Sequence, residues 1–116
     1  MDYRYIKTEY LEMVSGGDSK LIRELVNMFR DQVVEMHSEM QSLLSAKKYY
    51  ALGLLAHKAK SSVAIMGLDD LSAMLKTFEI QAKEGKDPEQ YESYIARFAN
   101  DTKEAITELD DLVNNR

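Results

Sequence analysis

The stretch Gly67-Leu68-Asp69-Asp70-Leu71-Ser72-Ala73-Met74-Leu75-Lys76-Thr77-Phe78-Glu79-Ile80-Gln81-Ala82-Lys83-Glu84-Gly85 decides the fold. Between its two glycines no further glycine or proline occurs, and Leu68, Leu71, Leu75, Phe78 and Ala82 recur at three- and four-residue steps. That spacing predicts one helix from Leu68 to about Glu84 with a single apolar face. Gly85 closes it, and Asp87-Pro88 predicts an N-cap and first-turn proline for a last helix with the stripe Tyr91, Ile95, Phe98, Thr102, Ala105, Leu109 and Leu112. Upstream, a helix from about Tyr49 to Met66 ends at Gly67, and the pattern breaks near Ala46-Lys47-Lys48. Before that break a long helix starts near Ser19, with Leu21, Leu25, Met28, Phe29, Gln32, Met36, Met40 and Leu43 as its apolar side. Ser15-Gly16-Gly17-Asp18 supplies a stop and an N-cap, and a short helix is expected at about residues 3–14. The expectation is an all-α fold: an antiparallel up-down four-helix bundle over residues 18–114 with a short additional N-terminal helix, in one domain spanning residues 1–116.

Composition narrows the function classes. The 116 residues are 45% hydrophobic and 30% charged, as suits one compact domain. Twenty acidic against 15 basic side chains give a net charge of -5, which opposes nucleic acid and anionic membrane surfaces and points to a protein partner. Cysteine is absent, which removes disulfides, thiolate metal sites and cysteine nucleophiles and leaves a cytoplasmic location as the expectation. The start, Met1-Asp2-Tyr3-Arg4-Tyr5, lacks the apolar run of a signal peptide, and no window approaches the ~18 apolar residues of a membrane span, so no membrane insertion is expected.

The sequence contains no Gly-rich phosphate loop, no His-Glu-x-x-His, no Glu-x-x-His pair and no G-x-S-x-G elbow. That leaves the two histidines, the side chains whose ordinary titration lies nearest neutrality. His37 falls one position beyond the Met36 stripe and is expected at the bundle's edge, with scattered glutamates that offer no metal geometry. His57 lies opposite the group Leu52, Leu55, Ala59, Ser62, Val63 and Met66 and is expected to face solvent. Gly53, Lys60, Ser61 and Ala64 are its neighbours at three, four and seven positions, with Leu54 and Ile65 at the margin. A glycine in a helix interior costs roughly 0.5–1 kcal/mol relative to alanine, so Gly53 suggests a close approach at this face. A neutral imidazole is a nucleophile towards phosphorus without an adjacent base. Lys60, at i+3, can set its ammonium beside phosphoryl oxygens, with Lys58 farther round the helix. No carboxylate cluster near His57 is evident to hold magnesium, so any metal and acceptor group would come with a partner. From residue types alone, a lysine-flanked histidine is more often just a solvated face, and small neighbours equally mark a helix contact in an oligomer.

The stretch Ala56-His57-Lys58-Ala59-Lys60-Ser61-Ser62, followed by Gly67, Leu68 and Leu71, resembles the signature of histidine-containing phosphotransfer (HPt) domains, roughly A-H-x-L-K-G-S with a glycine ten residues after the histidine. Ser15 to Asp18 leading into Leu21-Ile22-Arg23-Glu24-Leu25 with Met28-Phe29 is similar to that family's entry into its long helix. Leu75, Phe78 and Glu79 resemble its L-x-x-L-E segment. The resemblance covers about residues 10–85 and implies His57 as phosphoacceptor, Lys60 as stabiliser of the phosphoryl group, and a docking face of Gly53, Leu54, Lys58, Ser61, Ala64 and Ile65 for response-regulator receiver domains. It also implies a sensor or hybrid histidine kinase upstream, no nucleotide or kinase activity in this chain, no resident cofactor, and magnesium on the partner receiver. The sequence departs from the pattern at Ala59 in place of leucine and at Ser61 in place of glycine. Two other readings are a docking module for a receiver or kinase that works without phosphorylation, and the phosphoacceptor domain of a chemotaxis-type kinase.

Overall fold

The computed structural model describes residues 3–115. All regular elements within them are helical: α1 (Thr8–Ser15), α2 (Ser19–Ser45), α3 (Tyr49–Ile65), α4 (Asp69–Glu84), a 3-10 turn (Pro88–Gln90) and α5 (Tyr91–Asn114). The expected all-α bundle with a short leading helix is what the chain forms. Helices α2 to α5 run up and down in turn. Gly53 meets Lys83 and His57 meets Glu79 across α3 and α4, while an ion pair joins Arg30 of α2 to Asp110 of α5.

Local chemistry sets the helix limits. Asp18 accepts from the backbone N–H groups of Lys20 and Leu21 and caps α2. Gly16 and Gly85 take the left-handed conformation that ends α1 and α4. Between α2 and α3 the chain turns through Lys47, at φ 56°. The core is built from Leu52, Leu75, Phe78, Tyr91, Phe98 and Leu109, all fully buried, and each large apolar side chain so removed from water contributes about 1.5–3 kcal/mol. The Tyr91 hydroxyl stays satisfied by donating to the carbonyls of Gln81 and Lys86.

Four details differ from the sequence expectation. First, the buried stripe of α2 is Ile22, Val26, Phe29, Val33, Met36 and Met40, whereas Leu21 and Met28 are exposed and Leu25 and Gln32 sit at the edge. Alternating steps of four and three make the observed set the more regular seam, and packing against α3 and α5 selects it. Second, residues 3–7 are not helical, and α1 begins at Thr8. The backbone N–H groups of Arg4, Tyr5 and Ile6 instead donate to the Glu108 carboxylate, and Lys7 N–H donates to Met66 C=O. These bonds lay the segment as a strap across the end of the bundle, where Ile6 is buried. Third, Asp87 takes a left-handed φ of 53° and makes no side-chain cap, and Pro88 opens a 3-10 turn, so α5 starts at Tyr91. Fourth, Val113 rather than Leu112 completes the buried side of α5.

Candidate functional site

Helix α3 turns Leu52, Leu55, Ala56, Ala59 and Val63 inward. His57, 100° from Ala56 on the helical wheel, therefore emerges on the outer side beside α4, with its side chain 56% exposed. From α4, Glu79 follows the core residue Phe78 and is nearly buried, its side chain 11% exposed. Its two carboxylate oxygens each lie 3.0 Å from Nδ1 of His57. Lys83, one turn on in α4, donates to Oε2 at 2.8 Å, and Lys60 reaches Oε1 at 3.5 Å.

The carboxylate is held down at about 2, against an ordinary 4.5, chiefly by the Lys83 hydrogen bond and further by the one to His57, while burial opposes them. Glu79 is therefore ionised at neutral pH and can only accept hydrogen bonds. The proton of a neutral His57 then belongs on Nδ1, and the lone pair belongs on Nε2, the nitrogen turned away from Glu79. The arrangement is an exposed imidazole in a fixed tautomer, beside one buried carboxylate and two ammonium groups, which suits nucleophilic attack by Nε2 and charge balance of an anion bound there.

The remaining residues named from sequence take distinct places. Leu54, Lys58, Ser61 and Ala64 are exposed on the same side of α3 as His57, and Ile65 is half-buried at its margin. Lys60 is half-buried and lies over Glu79 rather than extending outward. Gly53 is a correction, because it is buried under α4 and does not belong to the outer face. A Cβ there would lie 2.9 Å from Lys83 N and 3.0 Å from Glu79 O. Its small size serves the close approach of α3 and α4, which is what brings Glu79 to the imidazole. Ala59 is fully buried in the core. His37 is half-buried on the far side, lining a groove between α2 and α5 with Gln41, Leu44 and Ile95.

In the sequence Glu79 stands out only as part of a motif, and Lys83 does not stand out at all. The legible signal was the i,i+4 pair of Glu79 and Lys83, with the acid directly after a core aromatic. What the sequence withholds is the register of α4 against α3, which brings these groups across 22 residues of chain. The structure also adds Ile80, exposed on α4 beside Glu79, and Tyr50, exposed one turn before Leu54. Among the described residues no group of three His, Asp or Glu is placed to hold a metal ion, and no helix is long and apolar enough to cross a membrane.

No curated protein and no solved structure matches the chain. The model of the Hpt domain matches residues 24–115, from the second turn of α2 to the end of α5. Hpt domains carry phosphoryl groups on histidine in phosphorelays, in exchange with receiver domains and histidine kinases. With that match spanning nearly the whole bundle and an exposed histidine on its third helix, the chain belongs to the Hpt domain family of two-component phosphotransfer proteins.

Proposed function

We propose that this chain is a cytoplasmic phosphorelay intermediate that takes a phosphoryl group from a receiver-domain aspartate onto Nε2 of His57 and passes it to the aspartate of another receiver. The observation that carries this reading is the double contact of Glu79 with Nδ1 of His57 at 3.0 Å. In the forward step the Nε2 lone pair forms the P–N bond as the acyl P–O bond breaks, and the aspartate carboxylate leaves with its electron pair. No proton has to move. The ring gains a positive charge, and the Nδ1 proton stays on its hydrogen bond to Glu79, whose negative charge opposes it. Reversal on a second aspartate returns the ring to its starting tautomer.

Lys60 is the cation that turns to the phosphoryl oxygens, because its contact with Glu79 is the longer one, while Lys83 at 2.8 Å keeps the carboxylate in place. The chain then supplies half an active site. The receiver brings the acceptor carboxylate and its magnesium, so this domain needs no cofactor or nucleotide of its own. Leu54, Ala64, Ile65 and the exposed Ile80 offer apolar contact around His57, and Lys58 faces the acidic rim of the receiver.

The test is transfer from a labelled phospho-receiver to the wild-type chain and to His57→Gln. Acid-labile, alkali-stable label on the wild type alone is the expected result. A receiver that binds both proteins while neither becomes labelled would replace this reading with passive docking.

A further inference from the structure

We propose that the hydroxyl of Ser61 is a ligand of the phosphoryl group on His57, donating a hydrogen bond to one of its oxygens. This rests on the reading of His57 as the phosphoacceptor. Three observations carry it. Glu79 occupies Nδ1 with both oxygens at 3.0 Å, so phosphorus is taken at Nε2 and the phosphoryl group stands on the outer side of the ring. Ser61 is exposed one turn after His57. Helical side chains lean towards the preceding turn, so its Cβ, about 5–6 Å from that of His57, directs the hydroxyl back over the imidazole's turn. That hydroxyl is also uncommitted. Thr77, Thr102 and Thr107 return theirs to the carbonyls four residues back, at 3.4, 2.6 and 3.2 Å, whereas the Ser61 hydroxyl makes no hydrogen bond with any described residue.

The surroundings leave the part of a neutral donor to Ser61. Leu54, Ala64 and Ile65 carry no polar side-chain atoms, Lys83 keeps its 2.8 Å contact with Glu79, and Lys58 and Lys60 bring charge with any hydrogen bond they make. A hydroxyl can donate to a phosphoryl oxygen without adding charge to the face a receiver must approach. A donor favours the more highly charged form of the group it binds, so Ser61 holds the second ionisation of the phosphoryl group lower than it is without the hydroxyl.

The experiment charges the intact chain and the variants Ser61→Gly, Ser61→Ala and Ser61→Thr with phosphoramidate. In that reaction ammonia leaves as the P–N bond to Nε2 forms. The phosphorus resonance is then titrated by NMR. The titration midpoint is expected to move up by about 0.3–1 unit in Ser61→Ala and Ser61→Gly alike, the share of one hydrogen bond, with Ser61→Thr remaining at the wild-type value. One midpoint shared by all four overturns the proposal. So does a division by size, with glycine apart and Ala, Ser and Thr together. Folded proteins that take no phosphate on His57 at all would overturn the phosphoacceptor reading and this inference with it, an outcome distinct from charged proteins that share one midpoint.

Discussion

Nδ1 of His57 and the carboxylate of Glu79 meet at 3.0 Å through both oxygens, which ties the tautomer of an exposed ring to a nearly buried acid on the neighbouring helix. The same carboxylate holds two lysines. It is therefore both the anchor of the site and a buried charge whose removal leaves cations unpaired.

Acid titration exposes that role. Glu79 is lowered to about 2 in the folded chain, so its contribution is complete above the ordinary carboxylate range and is lost as pH falls through about 2. Full loss amounts to on the order of 3 kcal/mol. Urea unfolding of the wild type and Glu79→Gln at pH 6 and pH 2 checks this. The wild type is expected to lose more stability between those conditions, and equal losses would mean that the network adds nothing.

At Gly53 a methyl group has no room. The added Cβ would press on the backbone of Glu79 and Lys83, so Gly53→Ala is expected to destabilise by about 1–3 kcal/mol despite the better helix propensity of alanine. By moving α4 off α3 it should also slow phosphoryl transfer to His57. Thermal melting and a transfer time course read the two effects, and a variant more stable than wild type would contradict the close approach.

The strap gives a third test. Gly67 sits at φ 77°, and a Cβ there would fall 2.5 Å from Lys7 N and against the Lys7 carbonyl. Gly67→Ala therefore carries a backbone cost and a clash, together about 2–4 kcal/mol. In a chain lacking residues 1–7 the clash is gone and only the cost of the left-handed conformation remains, roughly 1–2 kcal/mol. Chemical denaturation of the four proteins in that double-mutant cycle should show this non-additivity. Additive losses would show that the strap does not rest on Gly67.

The bundle was legible because its signals are local. Gly67 and Gly85 stop helices through their own backbone freedom, Asp18 caps through its own side chain, and the stripes on α4 and α5 contain enough large apolar residues to fix their inward faces. Helix α2 was harder. Apolar residues occupy both Leu21-Leu25-Met28 and Ile22-Val26-Phe29, and two adjacent stripes of one helix differ only in which neighbours they meet. The exposed position of His57 followed from the faces of α3 alone.

The sequence by itself determined that the chain is helical, where its helices stop, and that a histidine stands outside the core of the third, since each follows from periodicity or from one residue's backbone preference. Only the tertiary structure decided that Glu79 and Lys83 complete the site, that Gly53 is covered, and that residues 3–7 form a strap. Each of these depends on the axial register and close approach of helices far apart in the chain, which are set by the packing of whole faces and leave no mark within either segment alone.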